Sequence, residues 1–366
     1  MSHFSSQSKL KHSELLQGKR NKKISLIIGI LFGFGAMTWF VSGIDWTLLT
    51  TTLTDVSIYW ILLSSILLLL EFVLRAIRWK FILQPVSQNN NISVFKLFVA
   101  TVLGATANTL FPLRAGELLK PFIINKEEKI PFSTVIATTV MERVYDIFGL
   151  VFILILMLLL LNETAVQNIN STPENADLLT NLQKYGGMFG IFALFCMMIF
   201  FYLTSRTRQS RELFSKILFL APQPIKNIFL RLFDGFVEGL GNTKDFKGIL
   251  LSCFISILLW SNGACAIYCL FQAFGFLLPF GAACFVSVAI ALTVALPQAP
   301  GFIGVFHVAM EKTILLWGEQ ISAAQGFAIV FWAVSFIPVT IVGFLFAQYF
   351  GIQWSEMTSK DPDPTS

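Results

Sequence analysis

The chain has 366 residues, of which 55% are hydrophobic and 13% charged, with 38 phenylalanines and a formal net charge of +5. A soluble domain carries about 25% charged residues; several apolar runs of roughly 20 residues instead indicate a polytopic α-helical membrane protein. The positive balance does not point to nucleic acid, because the basic residues flank apolar runs in the positive-inside pattern rather than forming one patch.

In chain order, a basic head at 1–23 holds Lys9, Lys11, Lys19, Arg20, Lys22 and Lys23 and is expected in the cytoplasm. A transmembrane domain at 24–350 follows. Its first helix, 24–43, has no A-x-A-like cleavage site, which predicts a retained helix. Residues 44–57 lack Lys and Arg and read as an external loop. A helix over 58–79 comes back and ends with Arg75, Arg78 and Lys80; Glu71 and Arg75 are four apart, with Arg78 one turn further.

The segment 92–126 is flanked by positive charge and interrupted at Pro112. A helix over 131–161 then leads to an acidic, Asn-rich external loop. A helix over 186–204 returns to a basic loop at 205–247, whose apolar residues recur at helical spacing, as in a segment lying in the headgroup plane. A plain connector is the alternative there. A helix over 248–274 goes out again. The segment 281–317 is interrupted at Pro297, Pro300 and Gly301 and has no Lys or Arg on its flanks. The last helix, 325–350, precedes a short polar tail, 351–366.

The expected fold is all-α: a transmembrane bundle of about six full spans plus two broken segments, about eight membrane segments in all. The bias of Lys and Arg predicts a multi-pass protein of the cytoplasmic (inner) membrane with both termini in the cytoplasm. The broken segments are expected to be re-entrant hairpins, one from each side, since each half is short for a span of about 20 residues. Two Pro-kinked full helices in each place would keep the same parity. Irregular backbone at membrane depth is tolerated only where it is buried or lines a wet cavity. Matching breaks in two halves point to the binding site of an inverted-repeat transporter.

Charges inside these runs single out candidate site residues. In "FPLRAGELLKPF" (Phe111–Phe122), Arg114, Glu117 and Lys120 recur every three residues, a single stripe if helical. In "TTVMERVYDIFGL" (Thr138–Leu150), Glu142 shares a face with Asp146, and Arg143 and Asp146 are three apart. With a rise of ~1.5 Å per residue, Glu142 and Arg143 lie roughly 16–18 Å beyond Pro131, near mid-membrane. A charge there costs about 2.5–3.5 kcal/mol before pairing and usually marks a substrate or ion path. Arg143 can pair with Asp146, and Glu142 needs Arg114 or Lys120. A buried ion-pair network that only fixes packing is the bland alternative.

The cations suit a phosphate, and a helix beginning after Pro112 or after Pro300–Gly301 presents unpaired N–H groups and a positive dipole end. Asn108 and Thr109 are candidates for neutral hydrogen bonds or for capping the break. His307 is a candidate proton shuttle or, equally, a lone histidine satisfied by a neighbour, while Glu311 and Lys312 read as an interfacial pair. Five cysteines (Cys196, Cys253, Cys265, Cys269 and Cys284) lie in apolar runs and read as small buried hydrophobes. His3, His12 and His307 are scattered, so no metal is expected. Phosphate-loop, G-x-S-x-G and H-E-x-x-H motifs are absent from the sequence, so no cofactor or hydrolytic chemistry is expected.

"LRAGELLKPF", "MERVYDIFGL" and "PQAPGFIGVFH", in this order, resemble the lysylphosphatidylglycerol synthase transmembrane-region family of flippase-like membrane proteins over roughly residues 20 to 350. Its pattern runs R-x-G-E-x-x-R, E-R-x-x-D, then a P-x-x-P-G-G-x-G-x-x-E-like break. Arg114, Gly116, Glu117, Glu142, Arg143, Asp146, Pro297, Pro300, Gly301 and Gly304 match. Lys120 replaces the second Arg, Phe302 the second Gly, and His307 stands where Glu is common, which deprives that position of an acid. The resemblance implies a lipid translocator, in some members fused to a cytosolic aminoacyl-lipid synthase. No synthase-like stretch follows here, so lipid aminoacylation by this chain is not expected.

The expected function is therefore binding and translocation of an anionic lipid, a phospholipid or polyprenyl phosphate. The alternatives are a membrane-embedded transferase acting on a lipid-linked substrate, or a partner subunit of a separate lipid-modifying synthase.

Overall fold

A computed structural model describes residues 41–87, 92–111, 114–161, 246–295 and 300–349, together with Thr38, Ile191 and Phe195. Most of the predicted helices 24–43 and 186–204 lies outside the described residues, as do Cys196, the loops around the second of these helices, both terminal segments, Pro112 and Pro297.

Every described element is helical. They are α1 (Trp46–Thr54), α2 (Ile58–Leu83), α3 (Val94–Leu110), α4 (Gly116–Glu128), α5 (Phe132–Leu160), α6 (Phe246–Ala273), α7 (Phe280–Ala295), α8 (Val305–Leu315) and α9 (Ile321–Tyr349). Short 3-10 turns occupy Gln84–Val86 and Pro300–Phe302. Ile58–Val86, Phe132–Leu160, Lys247–Ala273 and Ile321–Tyr349 are long and apolar enough to cross a membrane. Their outward faces are apolar, with Ile66, Leu159, Phe254 and Leu345 all more than half exposed. A surface of that kind is a liability in water and a requirement in lipid. The protein is a multi-pass membrane protein.

The stretch expected to be an external loop, 44–57, contains α1 instead. Asp45 caps it, its Oδ1 accepting from Thr47 N at 3.0 Å and Leu48 N at 3.1 Å. The hydroxyls of Thr50, Thr51, Thr52 and Thr54 bond back to carbonyls three or four residues earlier. Threonine is a poor helix former, so propensity masks this helix and the cap restores it.

The order long, short, short, long occurs twice, as α2–α5 and as α6–α9. Packing repeats with it. The pairs α2–α3, α3–α4, α4–α5 and α2–α5 recur as α6–α7, α7–α8, α8–α9 and α6–α9. Across the halves, α5 packs on α7 as α9 packs on α3, and α5 on α6 as α9 on α2. The central pair, α2 and α6, is antiparallel. Ser57 N donates to Ala273 O at 3.0 Å, Asn262 Nδ2 to Leu67 O at 2.7 Å, and Arg78 Nη1 to Ser256 Oγ at 2.8 Å.

Helices α3 and α4 form a tight antiparallel hairpin. Lys96 at its base pairs with Glu128 at 3.1 Å and Glu127 at 3.4 Å. Near its tip the two backbones touch: a Cβ on Gly116 would run into the carbonyl of Gly104. The second hairpin turns through Gly301 (φ 70°), Phe302 (φ 57°) and Gly304 (φ 87°), left-handed backbone that suits glycine. Phe302 therefore carries strain where the related pattern has Gly, and its ring stacks on Phe336 at 5.2 Å. Trp332 Nε1 donates to Gly301 O at 2.7 Å. The same turn packs against α3, where a side chain on Gly301 would lie 3.7 Å from Thr109 O.

Candidate functional site

Helix α5 begins after Pro131 and carries its polar residues at intervals of four: Thr138, Glu142 and Asp146 all face inward and are buried. Arg143 is on the edge of that face, half-exposed. Lining up against it are the last turns of α2 and the first turns of α4.

Asp146 is the centre. Its Oδ1 accepts from Arg78 Nη2 at 2.8 Å, and its Oδ2 accepts from Arg143 Nη1 at 3.1 Å and lies 3.7 Å from Arg75 Nη1. Arg75 also pairs with Glu71 at 3.7 Å, and the Glu71 carboxylate reaches across to Gly263 of α6. Arg78 is wholly buried and donates a second bond to Ser256 of α6, whose hydroxyl bonds in turn to Ser252 O. One carboxylate thus gathers three guanidinium groups from two helices, and a third helix holds the deepest of them.

Beside it, Lys120 Nζ meets Glu142 Oε2 at 2.5 Å and sits 3.9 Å above the Trp79 ring, which is itself fixed by a bond from Nε1 to Thr138 Oγ1 at 3.1 Å. A salt bridge to a carboxylate and a cation–π contact both lower the cost of burying the ammonium.

Nearer the surface, Arg114 Nη2 and Arg143 Nη2 share a single oxygen, Glu117 Oε1, at 3.0 and 3.5 Å. Their side chains are 37%, 51% and 36% exposed in the order Arg114, Arg143, Glu117, whereas Arg78 and Lys120 are buried. The network therefore has a sealed end and an open end. Five cations (Arg75, Arg78, Arg114, Lys120 and Arg143) face four carboxylates (Glu71, Glu117, Glu142 and Asp146), a formal excess of one positive charge.

The structure brings Arg114, Glu117, Lys120, Glu142, Arg143 and Asp146 into one cluster, and Glu142 takes Lys120, one of the two partners expected for it. Three details differ from the sequence expectation. Arg114 is not on a helix with Glu117 and Lys120, because α4 begins at Gly116; it occupies the preceding turn at φ 54°. Asn108 lies at the end of α3 with its Oδ1 buried, without a hydrogen-bond partner among the described residues, and against the position a Gly116 Cβ would take. Thr109 bonds back to Ala105 O within its own helix.

Arg75 and Arg78, expected as orienting charges at a helix end, are instead members of the cluster. The i, i+4, i+7 spacing of Glu71, Arg75 and Arg78 was the available signal; only the crossing of α2 with α5 shows where that stripe points.

Gly301, Gly304 and His307 belong to the second hairpin. His307 is buried between Phe306 and Trp332, with ring centroids 6.1 and 5.7 Å away. No ion pair joins it to the cluster among the described residues. Glu311 and Lys312 pair as expected, Lys312 Nζ lying 3.1 Å from Glu311 Oε1; Glu311 is buried, and Gln325 Nε2 approaches its Oε2 at 3.5 Å. Cys265, expected to be buried, is exposed on the apolar face of α6, while Cys269 and Cys284 are buried.

An all-helical membrane bundle with an ion-pair cluster set between its long helices and a broken hairpin defines the class: a multi-pass membrane protein with a polar cluster between its helices. The chain belongs to the lysylphosphatidylglycerol synthase TM region family, whose pattern matches residues 26–343. It is similar to a UPF0104 membrane protein of Methanothermobacter thermautotrophicus, 24% identical, with 82% of this chain and 87% of that protein covered. A UPF0104 membrane protein of Pyrococcus horikoshii is also 24% identical, over 88% of this chain and 95% of that one. A shorter similarity, 23% identical over 34% of this chain and 20% of the relative, is to the glycosyltransferase AglD of Haloferax volcanii.

Proposed function

We propose that the protein binds an anionic lipid at the Arg114–Glu117–Arg143 end of the cluster and moves its headgroup across the bilayer. The observation that carries this is the shared Glu117 oxygen: two arginines converge on one point and remain half-exposed, backed by a buried array that holds one of them in place. Guanidinium groups bind phosphate oxygens in pairs, and a formal positive excess favours an anion.

The packing supports a transporter-like device. Because α2 and α6 are antiparallel and each is followed by its hairpin, the two hairpins start from opposite faces. Their turns nonetheless meet, Gly301 against α3 at Thr109. Both conditions are satisfied if each hairpin is re-entrant and turns back inside the ~30 Å core. The duplicated order of helices then makes an inverted repeat, and rocking one half on the other gives alternating access. Placement in the cytoplasmic membrane with both termini inside follows from the charge bias.

The similarity to a glycosyltransferase supports one rival, a membrane-embedded transferase acting on a lipid-linked substrate. A partner subunit of a lipid-modifying synthase is the third reading. One experiment separates them. Purified protein in liposomes is given a labelled anionic lipid, and leaflet distribution and lipid mass are followed together. Redistribution at constant mass is the expected result. A product of new mass would establish the transferase, and neither change, across a panel of anionic lipids, would leave only the partner subunit.

A further inference from the structure

We propose that Glu117 is a stand-in for the ligand, occupying Arg114 and Arg143 until the phosphomonoester headgroup of a lipid exchanges with it. This rests on the anionic-lipid reading above and specifies both the headgroup and what it must displace.

The two partners of Arg143 differ in kind. Its Nη1 is held by Asp146, which is anchored by the wholly buried Arg78; its Nη2 reaches Glu117 on the half-exposed side. Arg114 makes the same choice at the same atom, Glu117 Oε1. Among the described residues, Glu117 pairs with these two arginines alone. One carboxylate oxygen therefore serves two guanidinium forks whose donors could engage several acceptors. Among the described residues the buried Nε of Arg114 has no hydrogen-bond partner, so Glu117 leaves that donor unsatisfied. The position of Arg114 is set by the hairpin tip, where its own backbone is held at φ 54°. The remaining cations are committed: Lys120 to Glu142, and Arg75 and Arg78 to Asp146.

A headgroup that displaces Glu117 must do better than one shared oxygen. A phosphomonoester carries a charge of about −1.5 to −2 and three terminal oxygens, enough to give each guanidinium its own acceptor. A phosphodiester has a single charge and two such oxygens. With Glu117 displaced, the five cations of the cluster face three carboxylates, an excess of two that a monoester nearly balances, which matters in a medium that penalises unbalanced charge.

The test uses the full chain in phosphatidylcholine nanodiscs as wild type, Glu117→Gln and Glu117→Asp. Each is titrated with phosphatidate, with phosphatidylglycerol and, separately, with inorganic phosphate. Removing the internal competitor should tighten phosphatidate binding about tenfold in Glu117→Gln, with Glu117→Asp in between, and phosphatidate should bind more tightly than phosphatidylglycerol throughout. If Glu117 only props the arginines in place, Glu117→Gln will weaken binding or leave it unchanged; either result overturns the exchange while leaving lipid binding intact. Failure of all three proteins, each monodisperse, to bind either lipid or inorganic phosphate overturns this proposal and the lipid function together. Inorganic phosphate binding that strengthens in Glu117→Gln without any lipid binding would keep the exchange and exclude the lipid as its source.

Discussion

Arg78 of α2, with no exposed side-chain surface, meets Asp146 of α5 at 2.8 Å, and this pair is the point at which α2, α5 and α6 are tied together through Ser256. Taking one partner away leaves an uncompensated buried charge, which typically costs 3–5 kcal/mol. Arg78→Met and Asp146→Asn are each expected to destabilise the protein by about that much. Arg78→Met combined with Asp146→Asn should cost less than the two single changes summed, with a coupling of about 1–3 kcal/mol. Unfolding midpoints in detergent check this; strict additivity would mean that the pair is not coupled.

Gly116 and Gly104 set the separation of α3 from α4. A Cβ on Gly116 would collide with the Gly104 carbonyl and lie 2.8 Å from Asn108 Oδ1, while one on Gly104 would be 3.0 Å from Gly116 O and 3.1 Å from Lys120 Cβ. Overpacking against backbone costs about 1–3 kcal/mol. Gly116→Ala should therefore be the more damaging of the two substitutions in thermal stability. The reverse order would show that the hairpin can open without cost.

Arg143 is the exposed arginine whose removal should separate function from folding. With half of its side chain accessible, Arg143→Ala is expected to insert normally and lose about 1 kcal/mol or less, in the range of surface changes. Lipid redistribution in liposomes should fall at least about tenfold, the factor expected when an interaction worth ~1.4 kcal/mol is lost. Lys in its place should restore part of the activity, since an ammonium lacks the fork that addresses Asp146 and Glu117 at once. An equal loss of folding and transport would make Arg143 a packing residue.

Glu319, in the turn between α8 and α9, offers a pH-dependent check. Burial raises its carboxyl above the ordinary value of 4.5, so the folded protein holds the proton more tightly than the unfolded chain. Stability from this group is present at acid pH and declines as pH rises from about 4.5 through the raised value. Glu319→Gln should then leave stability unchanged at pH 4 and increase it at pH 7. Parallel stability curves across that range would contradict the shift.

Much of the bundle was legible in advance because hydrophobic runs of membrane length have few alternatives to being helices. The spans of α2, α5, α6 and α9 follow from that, and the two breaks follow from proline and glycine placed where a span should continue. The ion pairs within one helix or turn were legible too: Arg143 with Asp146 and Arg114 with Glu117 are three residues apart. Helix α1 was not, since a threonine-rich stretch has a weak helical preference that a single capping aspartate outweighs.

By itself, then, the sequence determined the medium, the spans and the residue types of a charged site, because the exclusion of bare polar backbone from lipid acts on each segment separately. Only the tertiary structure decided which charges meet. Arg75 and Arg78 reach Asp146, and Arg114 and Arg143 come to share Glu117, through the crossing of α2, α4 and α5. Such crossings are set by the shapes of packed side chains and by close approaches such as that of Gly104 to Gly116, and spacing along one helix carries no record of them.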